Sequence, residues 1–204
     1  MTETMNGATT SRSQAKADRR QSLLDAAARL FAEHGFAGVS MEDLGAAAGV
    51  SGPAVYRHFS GKQAVLGALL VGVSENLLRG GKDQIAAAPD AMHALTGLVR
   101  FHVAFALQNP DIIRAQDRDL AQLTDSDRIA VRSLQRSYVE LWVDVLSELV
   151  EEDVATLRVR AHAVFGLINS TPYSTRTLGV ASRPPLRAVG NLLERMALAA
   201  LLAD

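Results

Sequence analysis

The spacing of apolar residues confines this chain to helices. Leu23, Leu24, Ala27, Leu30 and Phe31 stand three or four apart, which places them on one face of a helix. The same spacing carries Val131, Leu134, Tyr138, Leu141, Trp142, Val145 and Leu149 along a longer stripe. No alternating β-branched run is long enough for a strand. The expected fold is therefore all-α, with about nine helices marked out by start and stop signals.

Those signals are chemical. "EHGF" ends the first helix: His34 suits the negative C-terminal end, and Gly35 can take the left-handed cap. Ser40 opens a second helix, with Asp43 three residues on to complete a capping box. Gly49 closes it after about two turns, and Ser51 caps a third helix with Pro53 in its first turn. A fourth follows Lys62 and is expected to end at the Gly80-Gly81 pair. Later starts fall at Pro89-Asp90, Asn109-Pro110, Thr124-Asp125 and Asp153, the last helix of these ending about Asn169. Residues 170–185 hold three of the six prolines and read as a loop; a final, very apolar helix follows from about Leu186 to Leu202. Residues 1–15 are small and polar and read as a disordered arm.

Composition excludes several classes. With no cysteine, disulfides, thiolate metal sites and a cysteine nucleophile are ruled out. A hydrophobic share of 48% supports a buried core. The N-terminus has no apolar core of a signal peptide, and no apolar run reaches membrane length, so a soluble, cytoplasmic protein is expected. Charge nearly cancels, 21 basic against 22 acidic, so the distribution of charge must speak for any partner.

That distribution is uneven in "SMEDLGAAAGVSGPAVYRHFSGKQAVL", residues 40–66. Two short helices about a Gly49-Val50 turn make a helix-turn-helix, whose second helix lies in the DNA major groove. Leu44, Ala47, Val50, Val55 and Phe59 are placed to pack, leaving Ser51, Gly52, Ala54, Tyr56, Arg57 and His58 outward. No Asp or Glu occurs between Leu44 and Ser74, while Arg12, Lys16, Arg19 and Arg20 crowd the first helix. On these residues alone, a DNA-binding unit and an ordinary turn in a helical bundle both stand.

The run "LLDAAARLFAEHGFAGVSMEDLGAAAGVSGPAVYRHFSGKQAVLGALL" resembles the N-terminal domain of the tetracycline-repressor (TetR) family of bacterial transcription regulators. The combination "A…LF…G…S…DL…AGVS…YRHF…K" carries the resemblance over about the first third of the chain. It implies a helix-turn-helix DNA-binding domain over 16–62, a connecting helix four over 61–80, and a ligand-binding and dimerisation domain over 81–204. It further implies that Ser40 gives its N–H or hydroxyl to a phosphate, and that Ser51, Gly52, Pro53 and Ala54 face base edges. Tyr56 and His58 would contact phosphates or bases, Arg57 would do so or support the fold, and Lys62 would anchor the DNA backbone. "SGPA" offers few side-chain donors, so readout would lean on thymine methyls and groove shape.

In the larger part, Phe101, His102, Phe105, Tyr138, Trp142, Phe165, Asn169 and Thr171 combine aromatic rings with isolated polar groups. Plain core explains aromatic residues at helical spacing. A mostly apolar cavity with a few polar groups is also how small-molecule sites are built, and the family uses such a pocket for an effector. An apolar or amphipathic effector is expected, a long thioester or steroid-like acid among the candidates. The final helix is apolar nearly all round, and in the family the last two helices pair with their twins. A homodimer is expected, through Leu167, Leu192, Leu193, Met196 and Leu201.

The function expected is a ligand-released repressor bound to double-stranded operator DNA, with no cofactor, metal or membrane partner. A helical protein-interaction adaptor and an enzyme on a helical scaffold are the alternatives. For an enzyme, there is no HExxH, no phosphate-loop motif and no Gly-x-Ser-x-Gly elbow.

Overall fold

The computed structural model describes residues 4–176 and 184–203. Within them lie nine α-helices, one 3-10 turn and no strand. In chain order these are α1 (Thr4–His34), α2 (Met41–Ala47), α3 (Gly52–Val55), α4 (Lys62–Ala86), α5 (Ala91–Gln108) and α6 (Pro110–Asp119). A 3-10 turn (Leu120–Gln122) leads to α7 (Asp125–Ser147), α8 (Val154–Arg176) and α9 (Leu186–Leu201).

The local signals act as their chemistry requires. Ser40 and Asp43 form the full capping box at the start of α2. Gly35 and Gly49 take positive φ, +78° and +68°, where a side chain would be strained. The Asp90 and Asp153 carboxylates accept N–H groups in the first turns of α5 and α8.

Three expectations are corrected. First, α1 begins at Thr4, inside the stretch read as an arm. Gln14 and Gln21 each donate to an Asp four residues on, the kind of surface pair that lets a nucleated helix extend without an apolar face. Second, α4 runs straight through Gly80-Gly81 to Ala86. A Cβ at Gly80 would collide with the Phe101 ring, and one at Gly81 would stand 2.7 Å from Tyr138 Cε2. The pair admits rings rather than ending a helix. Third, α8 continues past Asn169 to Arg176 with Pro172 inside it, so 170–176 is helix. The rest of the expected loop, through 183, lies outside the described residues. The Thr171 hydroxyl donates to Leu167 O at 2.8 Å, and Pro172 is buried.

The chain divides into two compact units. One runs up to Leu70 and adds Arg114–Arg128; the other is Val71–Ile113 with the chain from Ile129 onward. The compact boundary thus lies ten residues before Gly81, and the first unit takes in a segment that the sequence reading had placed in the second. The first unit packs α1, α2, α3 and the start of α4 around Leu23, Ala27, Phe31, Leu44, Val55 and Leu66, all essentially inaccessible. It also contains a buried carboxylate: Asp119 Oδ2 accepts the Phe36 N–H at 3.2 Å, and Arg118 bonds both Asp119 and Ala32 O. The second unit is a bundle of α5, α7, α8 and α9 around Leu95, Leu98, Trp142, Leu146, Leu157, Ile168 and Leu201.

Candidate nucleic-acid interface and buried polar cluster

In the first unit, Leu44, Val55 and Phe59 are buried and hold α2 and α3 together, while Val50 is half-buried. Ala47, expected to pack with them, is exposed on the outer side of α2. Ser51, Pro53, Tyr56 and Arg57 are exposed; Gly52, Ala54, His58 and Lys62 are half-buried. Tyr56 is 54% exposed, an extent that makes it a surface group rather than a core ring.

Ser40 differs from expectation. Its N–H donates to Asp43 Oδ2 at 2.8 Å, and its hydroxyl donates to the same oxygen at 2.6 Å. Both donors assigned to a phosphate are engaged by a carboxylate, which those bonds hold below its usual pKa range. Ser40 is a helix cap here. Lys62 Nζ donates to Ala37 O at 3.4 Å and lies 4.6 Å from the Phe36 ring centroid. An ammonium has three donors, so this fixes its direction and leaves capacity for a phosphate oxygen. His58 Nδ1 is buried without a partner. Burial first, then Lys16, Arg19, Arg20 and Arg57, lowers the His58 pKa. His58 is therefore neutral near pH 7, and the positive charge of this face belongs to the surrounding Lys and Arg. The side chain of Arg12 lies outside the described residues. One acid does reach the surface despite the acid-free run: the Glu42 side chain lies beside Gly52, about 3.6 Å from where a Cβ would be.

In the second unit, α5, α7 and α8 bring most of the expected pocket residues together. His102 is buried, its ring centroid 4.8 Å from Phe165, 5.7 Å from Tyr138, 6.0 Å from Trp142 and 6.1 Å from Phe105. Its Nε2 stands 3.1 Å from Asn169 Oδ1, and its Nδ1 3.4 Å from the Tyr138 hydroxyl. The consistent assignment is Nε2–H donating to Asn169 and Tyr138 O–H donating to Nδ1. Burial pushes the His102 pKa down to about 4 and that of Tyr138 up, so both are neutral near pH 7. Trp142 Nε1–H is fully buried; it faces the Tyr138 oxygen without reaching good hydrogen-bonding geometry. Phe101 lies against Gly80 instead, and the Thr171 hydroxyl is taken by Leu167 O.

The expected dimer residues divide. Leu193 and Leu201 are 2% and 0% exposed within one chain, so they belong to its own core and are withdrawn from the interface. Leu192 and Met196 are exposed at 48% and 44%, and Leu167 is half-buried. α8 adds exposed Val159, Ala163 and Gly166, and a Cβ at Gly166 would meet only open space. An apolar helix face has the right number of hydrophobic groups to read as a core, but its two sides cannot be told apart without the neighbouring helices.

Residues 23–69 match the model of bacterial regulatory proteins of the tetR family, and residues 89–173 match that of the tetracyclin repressor-like C-terminal domain. The chain belongs to the tetracycline-repressor (TetR) family. As a TetR-family protein it is a ligand-responsive, DNA-binding transcriptional regulator. It is 26% identical over 159 residues to the HTH-type transcriptional repressor KstR2 of Rhodococcus jostii, covering 78% of each chain. Its fold is that of the ketosteroid transcriptional regulator KstR2 of Mycobacterium tuberculosis (TM-score 0.69, 22% identity, 89% and 93% of the two chains). It is equally that of AibR, solved with isovaleryl coenzyme A and operator DNA (TM-score 0.71, 17% identity, 87% and 97%). Among the described residues of this TetR-family regulator, no helix is long and apolar enough to cross a membrane.

Proposed function

We propose that this regulator represses transcription in the cytoplasm by binding an inverted-repeat operator as a twofold homodimer, and that an apolar or amphipathic molecule releases it. It acts by binding alone, without catalysis. The observation that carries the reading is the exposed Tyr56-Arg57 pair beside α3, on a face whose packed side is fully accounted for by Leu44, Val55 and Phe59. Ser51, Gly52, Pro53 and Ala54 meet base edges; Tyr56, Arg57 and Lys62 hold phosphates, with His58 as a neutral partner. Exposed Val159, Gly166, Leu192 and Met196 supply the dimer face. A mid-helix glycine facing open space costs helix stability of about 1 kcal/mol relative to alanine, which a closely approaching partner helix explains.

The effector site is the His102, Tyr138, Trp142, Phe165 and Asn169 cluster. The poorly matched Trp142 N–H supports this, because a buried donor without a well-placed acceptor is costly and a carbonyl on a ligand would satisfy it. Phe105 borders the cluster, and Thr171 lies two residues beyond Asn169 on α8. The relatives named for a ketosteroid and solved with an acyl thioester support the same ligand class. Release follows from differential affinity: a ligand that fits only a form unable to meet both half-sites drains the DNA-bound population.

Selection of random duplex DNA by the purified protein at about 0.15 M salt, an ionic strength that leaves only strong phosphate contacts, tests this directly. An enriched inverted repeat is expected, with half-site centres about one or more helical turns apart. No enrichment would overturn the operator reading. Fusion of the enriched site to a reporter promoter then distinguishes repression from activation.

A further inference from the structure

We infer that the open cleft between α7 and α8 binds a phosphate-bearing head group, the charged end of an amphipathic effector whose apolar end enters the aromatic cluster. The inference rests on the ligand-responsive reading and adds to it the chemistry and address of the polar end. The cleft is lined by Arg132, Gln135, Arg136, Val139, Glu140, Arg158 and His162, with a volume of about 230 Å3. Pockets that enclose a whole drug-sized ligand run to roughly 300–1,000 Å3. This one has room for a head group.

Its charge is unbalanced in a specific way. Arg158 Nε and Nη2 donate to the two oxygens of Glu140 at 2.7 and 2.8 Å, so that acid is consumed in a bidentate pair. The pair holds the Glu140 carboxyl below its usual range. Arg160 on α8 is likewise paired, with Glu152. Among the described residues, neither Arg132 nor Arg136 forms an ion pair, although both line the same cleft. They are four residues apart on one helix face, where like charges repel. Two exposed guanidiniums on one side of the cleft, with the nearby acid already neutralised, match a doubly charged oxyanion in charge.

The cleft borders the cluster through one ring contact. His162 lines it and its ring lies 6.4 Å from that of Phe165, which in turn touches His102 and Trp142. Val139 lines the cleft and is the sequence neighbour of Tyr138. A ligand with phosphate at Arg132 and Arg136 and an apolar chain passing His162 would meet the cluster at Phe165. Arg132 and Arg136 then set the preference for phosphate, while the cluster sets the preference for the chain.

Two probes test this on the full chain. Inorganic pyrophosphate is titrated into wild type, the R132A/R136A variant and R187A, with binding followed by 31P line broadening. Saturable binding to wild type and R187A is expected, weakened at least about tenfold by the double substitution, the size of effect that a strong charge-assisted pair supplies. Absence of saturable binding to wild type, or equal binding by the double variant, overturns the head-group site. Octyl phosphate is then compared through the emission of Trp142, the single tryptophan. Tighter binding than pyrophosphate together with a changed emission supports one continuous site. Equal affinity with unchanged emission marks a site for free phosphate and overturns the amphipathic assignment. Failure of operator selection, by contrast, would sink the regulator reading while leaving the pyrophosphate result standing.

Discussion

Gly80 of α4 lies against the ring of Phe101 in α5 so closely that no Cβ fits between them. The glycine pair that reads as a helix break is a socket for two aromatic rings, Phe101 at Gly80 and Tyr138 at Gly81. Gly80→Ala is therefore expected to destabilise the protein by about 1–3 kcal/mol, the usual cost of overpacking, despite alanine's better helix propensity. Gly72→Ala, in the same helix but with a Cβ meeting open space, is expected to stabilise by about 0.5–1 kcal/mol. Urea unfolding of the two variants checks the opposite signs.

His102 gives a pH dependence. Its folded pKa is about 4 against an ordinary 6.5, so the unfolded chain binds the extra proton first. Its contribution to stability is complete above about pH 6.5 and is lost as pH falls toward 4. The loss is on the order of 3 kcal/mol, from 1.36 kcal/mol per pKa step. Thermal unfolding between pH 7 and 4 is expected to show this slope, and His102→Gln to flatten it.

Arg57 is exposed, and among the described residues its side chain makes no hydrogen bond or ion pair. Arg57→Ala is expected to weaken binding similarly to all DNA sequences and to reduce the slope of log affinity against log salt by about one. Fluorescence anisotropy at several salt concentrations reads this. A loss confined to one base position would mark Arg57 as a base reader instead.

Asp119 is nearly inaccessible and accepts the Phe36 N–H. Asp119→Ala leaves that donor unpaired near the turn between α1 and α2, and removes the partner of Arg118. A loss of about 1–3 kcal/mol is expected, together with faster amide exchange at Phe36. Unchanged exchange there would show the bond to be dispensable.

Leucines 192 and 193 separate association from folding. Leu192→Glu, on the exposed face of α9, is expected to give a folded monomer by light scattering. Leu193→Ala, in the core, is expected to cost about 2–5 kcal/mol of folding stability and to leave a dimer wherever the chain remains folded.

Features that depend on neighbouring residues were legible in the sequence. The Ser40–Asp43 box and the left-handed Gly35 and Gly49 each follow from contacts within a few positions. The aromatic cluster was legible as a set, because helical spacing put Tyr138, Trp142 and the polar His102 on inward faces. What depends on partners distant in sequence was not. Gly80-Gly81 carries a strong local break signal that packing against Phe101 and Tyr138 overrides. Nothing near Asp119 announces a bond to an amide 83 residues earlier. The pair Arg132 and Arg136 gains meaning only when α8 supplies Arg158 to neutralise Glu140. Leu193 and Leu201 were assigned to the wrong side of an amphipathic helix whose mean character is apolar throughout.

The buried Asp119 also bears on modularity. The compact unit that carries α2 and α3 breaks off at Leu70 and resumes at Arg114, so its brace is encoded more than forty residues downstream of that break. A chimaera spliced within α4 would transplant a DNA-reading head without the Arg118–Asp119 clasp that ties down Ala32 and Phe36. Exchanging heads between such regulators therefore requires two coordinated crossovers, one in α4 and a second flanking 114–128, and a single recombination event would yield a head with a frayed seam.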